Sequence, residues 1–145
     1  MVIKASEIFE DFMLASPAIG GIRPNRVRDK LTGAIFKLAG GLWPLRFKYR
    51  LLERHATMGQ TDLFNNNILI EGNLKESEML SSLWHEILEV LNKKYDLGMP
   101  HELLSRLETN TFEALVNNPQ FINELLIYAR RYNGTREKIN RTTKT

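Results

Sequence analysis

The chain has 145 residues, 43% hydrophobic and 26% charged, which is the balance of a globular domain and excludes a disordered or fibrous chain. No apolar run reaches the ~18 residues of a membrane span, the acids of the first ten residues argue against an export signal, and the absence of cysteine excludes disulfides and thiolate metal sites. The net charge of +3 is uneven, because six basic residues and one acid follow Ala129 while residues 1–129 hold 14 basic and 16 acidic side chains.

In chain order, the spacing of Ile8, Phe9, Phe12 and Met13 predicts a short helix over residues 4–15, with Ser6 near its start. A second helix is expected from Asn25 to Leu38, with Val27, Leu31, Ile35 and Leu38 as its stripe and Gly40-Gly41 as its stop. Together they form an expected N-terminal helical arm, residues 1–44. Leu45, Phe47, Tyr49 and Leu51 alternate with Arg46, Lys48 and Arg50, the pattern of a half-buried strand with a basic outer face. His55 to Asp62 and Asn65 to Asn67 read as polar turns, and Ile68-Leu69-Ile70 as a short strand.

From Glu76 to Tyr95 the period becomes helical, with Leu80, Leu83, Trp84, Ile87, Leu88 and Leu91 on one apolar face. Gly98 and Pro100 end that helix. Two more are expected, His101 to Asn117 and Gln120 to Arg131. The fold class implied is α+β, mainly helical, with a small antiparallel sheet of two or three strands packed on a helix pair. Residues 45–132 would form the core and residues 133–145 a disordered basic tail. Such a tail can bind nucleic acid by releasing counterions. The expected setting is the cytoplasm, with no membrane contact.

Trp84-His85-Glu86-Ile87-Leu88-Glu89 carries the candidate chemistry. His85 and Glu89 are four apart, so on a helix they project from one face and can hold one metal ion. Imidazole nitrogen and carboxylate oxygen both suit zinc. Glu86 points about 100° away. In the zincin pattern His-Glu-x-x-His the glutamate so placed takes the proton of the attacking water. Here Glu89 replaces the second histidine, which admits a harder ion such as Mn²⁺. The plainer reading is that His85, Glu89, Asn92 and Asp96 form the solvated stripe of an ordinary helix.

The surrounding motifs are Gly59-Gln60-Thr61-Asp62, Ile68-Leu69-Ile70, His85-Glu86-Ile87-Leu88, Glu89-Val90-Leu91-Asn92, Tyr95-Asp96-Leu97-Gly98-Met99 and Asn118-Pro119. In this order they resemble the small phage- and mobile-element-encoded zincin-like proteins related to ImmA/IrrE-type metallopeptidases. The resemblance covers roughly residues 45–120. It implies a metal-dependent, peptidase-like hydrolase with Glu86 as base and Zn²⁺ (or Mn²⁺) on His85, Glu89 and a third ligand. A tight helical hairpin turning at Gly98 would place Glu108 level with Leu88. It would leave His101 level with Tyr95, ~9 Å along the axis from Glu89. The resemblance favours His101. His55 has no assignable role. The alternative is a non-catalytic zincin-fold protein that binds a partner protein or nucleic acid.

Overall fold

The computed structural model describes residues 21–143; the helix expected over residues 4–15 lies outside them. The elements are α1 (Arg26–Leu31), β1 (Ile35–Leu38), β2 (Gly41–Lys48), α2 (Leu51–His55), β3 (Gly59–Asp62), β4 (Asn67–Glu71), α3 (Glu76–Lys94), α4 (His101–Val116) and α5 (Pro119–Thr142). The chain divides into two compact units, one ending at Glu108 and the other beginning at Thr109. The architecture is α+β.

The sheet has four strands in the order β1-β2-β4-β3, and its central pair, β2 with β4, is parallel. This corrects the expected two- or three-stranded antiparallel sheet. β1 and β3 are the two strands absent from the expectation. Gly-Gln-Thr-Asp has little intrinsic strand preference, and pairing with the apolar β4 decides its conformation. The parallel pair follows from α2 and β3 intervening between β2 and β4, a connection long enough for a crossover.

The helix expected from Asn25 to Leu38 ends at Leu31. Gly33 takes φ +81°, and the chain then enters a hairpin whose two loop residues, Ala39 and Gly40, have φ values of 49° and 74°. Positive φ at both positions is the signature of the tight turns that match strand twist. Phe36 and Leu38 therefore point to the core with a period of two. Ile35 and Leu38 also continue the helical stripe of Val27 and Leu31, which is why the sequence reads as one helix, but in the strand Ile35 turns outward and is 58% exposed. The sheet thus begins at Ile35, inside the expected arm. At the other end of the hairpin β2 stops at Lys48, and the buried Leu51 opens α2 instead of closing the strand.

Trp43, Leu45, Ile68, Ile70, Leu74, Met79, Leu83 and Val90 form the core, between one face of the sheet and α3. α3 starts where Glu78 accepts the Lys75 N–H at 3.0 Å. Glu76 and Glu78 in the first turn, and Lys93 and Lys94 in the last, suit the helix dipole. Its buried stripe toward the sheet runs Met79, Leu83, Glu86, Val90, centred one residue round from the expected apolar face, of which Leu83 and Leu88 are buried. Leu80 is exposed and Trp84 half-buried.

α5 begins with Pro119, which suits a first helical turn, and runs 24 residues to Thr142. Residues 133–142, expected as a disordered tail, are helical. Gly134 costs roughly 1 kcal/mol in a helix interior, but no proline follows Pro119 and the hydroxyl of Thr135 donates to the Arg131 carbonyl one turn back at 3.0 Å. Among the described residues no helix is long and apolar enough to cross a membrane.

Candidate metal centre

Two structural devices bring the site together, one at the turn after α3 and one at the sheet edge. Asn92 lies buried near the end of α3. Its side-chain oxygen accepts the Met99 N–H and its side-chain nitrogen donates to the Met99 carbonyl, both at 3.0 Å. Positive φ at Asp96 (50°) and Gly98 (64°) lets the chain double back within this clamp. α4 therefore opens with His101 beside the middle of α3, not beside its last turn. The tight hairpin considered from the sequence is ruled out, and His101 Nδ1 lies 3.5 Å from Glu89 Oε1.

His85 and Glu89 share one face of α3, as their spacing requires, with His85 Nε2 3.8 Å from Glu89 Oε1. The His85 and His101 rings meet edge to face, centroids 5.4 Å apart at 72°. One ligand atom from each of His85, Glu89 and His101 can be chosen so that all lie within 4.8 Å of one another. Tetrahedral zinc with bonds of 2.0–2.1 Å separates neighbouring ligands by about 3.4 Å. Two of the observed separations are already within a few tenths of an ångström of that. The donor set of two imidazoles and a carboxylate fits a divalent ion.

Glu108, the rival third ligand, takes another position. Its Oε2 lies 3.4 Å from Nδ1 of His85, on the side of the ring away from Glu89, and its Oε1 accepts the Ser81 hydroxyl at 2.8 Å. A carboxylate on Nδ1 holds the proton on that nitrogen and leaves Nε2 to ligate, the usual outer support of a metal-bound histidine. The two candidates thus stand on opposite sides of the His85 ring.

Glu86 points to the sheet. It is 6% exposed, and its Oε2 accepts the Thr61 hydroxyl at 2.6 Å. The strand register explains the contact. Thr61 pairs with Ile68 and Gly59 with Ile70, so both turn toward α3 with the two buried isoleucines. Gly59 leaves the space that the carboxyl occupies: a Cβ there would sit 2.8 Å from Glu86 Oε1 and 2.9 Å from its Cγ. Burial pushes the Glu86 carboxyl above the usual carboxylate range. The Thr61 hydrogen bond, His85 and His101 pull it back, while Glu89 adds to the rise.

These groups line an open cleft of about 590 Å³ whose other wall is β3 and the segment before it. The sequence singled out His85, Glu86, Glu89, His101 and Glu108, and all five border this cleft. It gave no role to Gly59, Thr61, Ser81 or Asn92. The first two stood in the Gly-Gln-Thr-Asp motif, where only strand pairing reveals their partner. Ser81 sits one helical turn before His85 and could have been found from that spacing. His55 ends α2 as an exposed residue. Of the basic strand face, Arg50 is held by Glu53 through two bonds of 2.9 and 2.7 Å. No family model matches the chain, and no curated protein or solved structure shows significant similarity to it.

Proposed function

We propose that the protein is a zincin-like, metal-dependent hydrolase acting on peptide bonds. The observation that carries this is the convergence of His85, Glu89 and His101 within 4.8 Å on a cleft that also exposes an edge of Glu86. His85 through Nε2, Glu89 through a carboxylate oxygen and His101 through Nδ1 would hold the ion. Zinc suits the two imidazoles, and manganese is the alternative that the carboxylate admits. A divalent ion there supplies a Lewis acid for a carbonyl oxygen and makes a nearby water easier to deprotonate.

The chain's own residues supply the rest. Glu86 takes a proton from the attacking water and passes it to the leaving amine, and its raised pKa brings its basicity closer to neutral pH. Thr61 holds one carboxylate oxygen and Gly59 makes room for the other, which fixes the carboxyl at the edge of the cleft. Glu108 and Ser81 hold the His85 ring in the ligating tautomer. Asn92 keeps His101 in reach by locking the turn.

The test combines metal content, calorimetry and hydrolysis of an unfolded fluorogenic protein substrate. Wild-type protein should bind one zinc or manganese ion per chain. His85→Ala should lose it, while Glu86→Gln should keep the ion and lose hydrolysis. Binding no tighter than about 100 μM at neutral pH, about −5.5 kcal/mol, would refute the metal centre. Metal binding without hydrolysis would support a non-catalytic protein built on the same site.

A further inference from the structure

α5 carries an unusual surface. Phe121, Leu125, Tyr128, Tyr132 and Ile139 are each 50% or more exposed, and none of the 24 residues of the helix is buried. These five, with Thr135, follow one another at steps of four, three, four, three and four. That is the 3.5-residue period of a coiled-coil seam, which stays aligned along a helix only against another helix. Tyr128 and Tyr132 stack at 6.2 Å, and the Arg136 guanidinium lies 5.8 Å from the Tyr132 ring centre. The seam is thus bounded by a cationic edge at its C-terminal half.

We infer that α5 pairs antiparallel with α5 of a second copy of this chain. Flanking charge selects both partner and direction. The seam is bordered on one side by Ile122, Ala129 and Arg136 and on the other by Glu124, Arg131 and Lys138. In a parallel pair, Arg131 of each helix would face Arg136 of the other, two repulsions with no compensating attraction. In the antiparallel pair, Phe121 meets Ile139, Leu125 meets Thr135 and Tyr128 meets Tyr132 of the other copy. Glu124 then faces Lys138 at both ends, and the single like-charge contact is Arg131 with its own copy at the axis. From residue 121 to 139 the shared seam is about 27 Å long at 1.5 Å per residue. The two-fold relation closes the pair, so the exposed seam is used once and no filament follows.

Sedimentation velocity on the full chain at about 5 and about 100 μM tests this, with circular dichroism confirming that each variant keeps its helix. Wild type should reach the dimer mass at the upper concentration, and Leu125→Glu should remain a monomer of unchanged helicity. Glu124→Lys and Lys138→Glu should each weaken the dimer about tenfold, since each turns two attractions into repulsions. The double exchange should restore the wild-type constant. A wild-type monomer at about 100 μM overturns the inference. So does a double exchange no tighter than its single parents, which would rule out the antiparallel register. A monomer that binds vesicles of equal parts phosphatidylcholine and phosphatidylglycerol would give the face to an anionic membrane surface instead.

Discussion

Gly59→Ala tests the placement of Glu86 without touching any proposed metal ligand. The backbone of Gly59 is regular strand, paired with Ile70, so alanine itself is acceptable there. Its Cβ is not. It would lie 2.8 Å from Glu86 Oε1, 2.9 Å from Cγ and 3.1 Å from Ile70 Cδ1, each closer than van der Waals contact. Ile70 is fully buried and cannot retreat, so the Glu86 side chain must swing away from β3 and give up the Thr61 hydroxyl. Overpacking of a filled site costs ~1–3 kcal/mol, and the lost bond to a charged group adds to it. Stiffening of the unfolded chain returns roughly 0.4–1 kcal/mol. The net expectation is a loss of ~1–3 kcal/mol in urea unfolding, metal affinity within about threefold of wild type, and hydrolysis reduced at least about tenfold. Unchanged stability together with unchanged hydrolysis would mean that Glu86 does not lie against Gly59. Loss of metal with hydrolysis unaffected would contradict the assigned roles altogether.

Asn92→Ala removes both bonds of the turn clamp. It should lower stability by ~2–3 kcal/mol and weaken zinc binding in calorimetry by freeing His101, so an unaltered affinity would show that the clamp does not position that ligand. Glu108→Ala should weaken binding 10–100-fold and Glu108→Gln less, because the amide oxygen can still accept from Nδ1; equal affinity in wild type and Glu108→Ala would remove Glu108 from the centre. Trp43→Ala should cost ~3–5 kcal/mol, since Trp43 is 1% exposed, donates from Nε1 to the Leu38 carbonyl at 3.2 Å and lies under Lys94; urea unfolding with a loss below about 1 kcal/mol would mean the hairpin is not docked. In chelator-treated protein, the folded state raises the pKa of Glu86 above its ordinary 4.5, so native protein holds the proton more tightly than unfolded chain and loses stability as pH rises through that interval. The stability advantage of Glu86→Gln should therefore grow from about pH 4.5 upward and then level off, and an advantage that shrinks with rising pH would reverse the assigned shift.

Long periodic segments were legible in the sequence. The expected span of α3 agrees with the structure to within a residue at each end, because nineteen residues without proline or glycine leave few alternatives. The parts that failed are those decided by partners distant in the chain. β1 reads as helix because Ile35 and Leu38 continue the 3.6 spacing of Val27 and Leu31, while Phe36 and Leu38 carry the period of two that the strand uses. β3 reads as a turn because Gly-Gln-Thr-Asp becomes a strand only beside Ile68 and Ile70. The expected face of α3 includes the buried Leu83 and Leu88 but is centred one residue off, because a buried Glu86 violates the rule that finds buried faces. His101 was harder to place than His85 and Glu89. The latter pair is fixed by helix geometry, whereas His101 depends on two hydrogen bonds from a side chain that sequence alone places on a solvated stripe.

The buried stripe of α3 is the clearest physical clue to what the helix does. Met79, Leu83 and Val90 meet the sheet as an ordinary amphipathic helix would. At the position between them, a leucine would bury without penalty, yet a carboxyl stands there. It is sustained by one hydroxyl and by a strand residue with no side chain. Desolvation of that group lowers stability and gives the fold nothing in return. On the adjacent face His85 and Glu89 keep about a fifth of their side-chain area open, 19% and 20%, enough to meet an ion from the cleft. One turn of helix thus presents a sheltered acid and two accessible ligands, offset by the 100° step between consecutive residues. That division is what the proposed role of Glu86, a base poised beside a cation, would require.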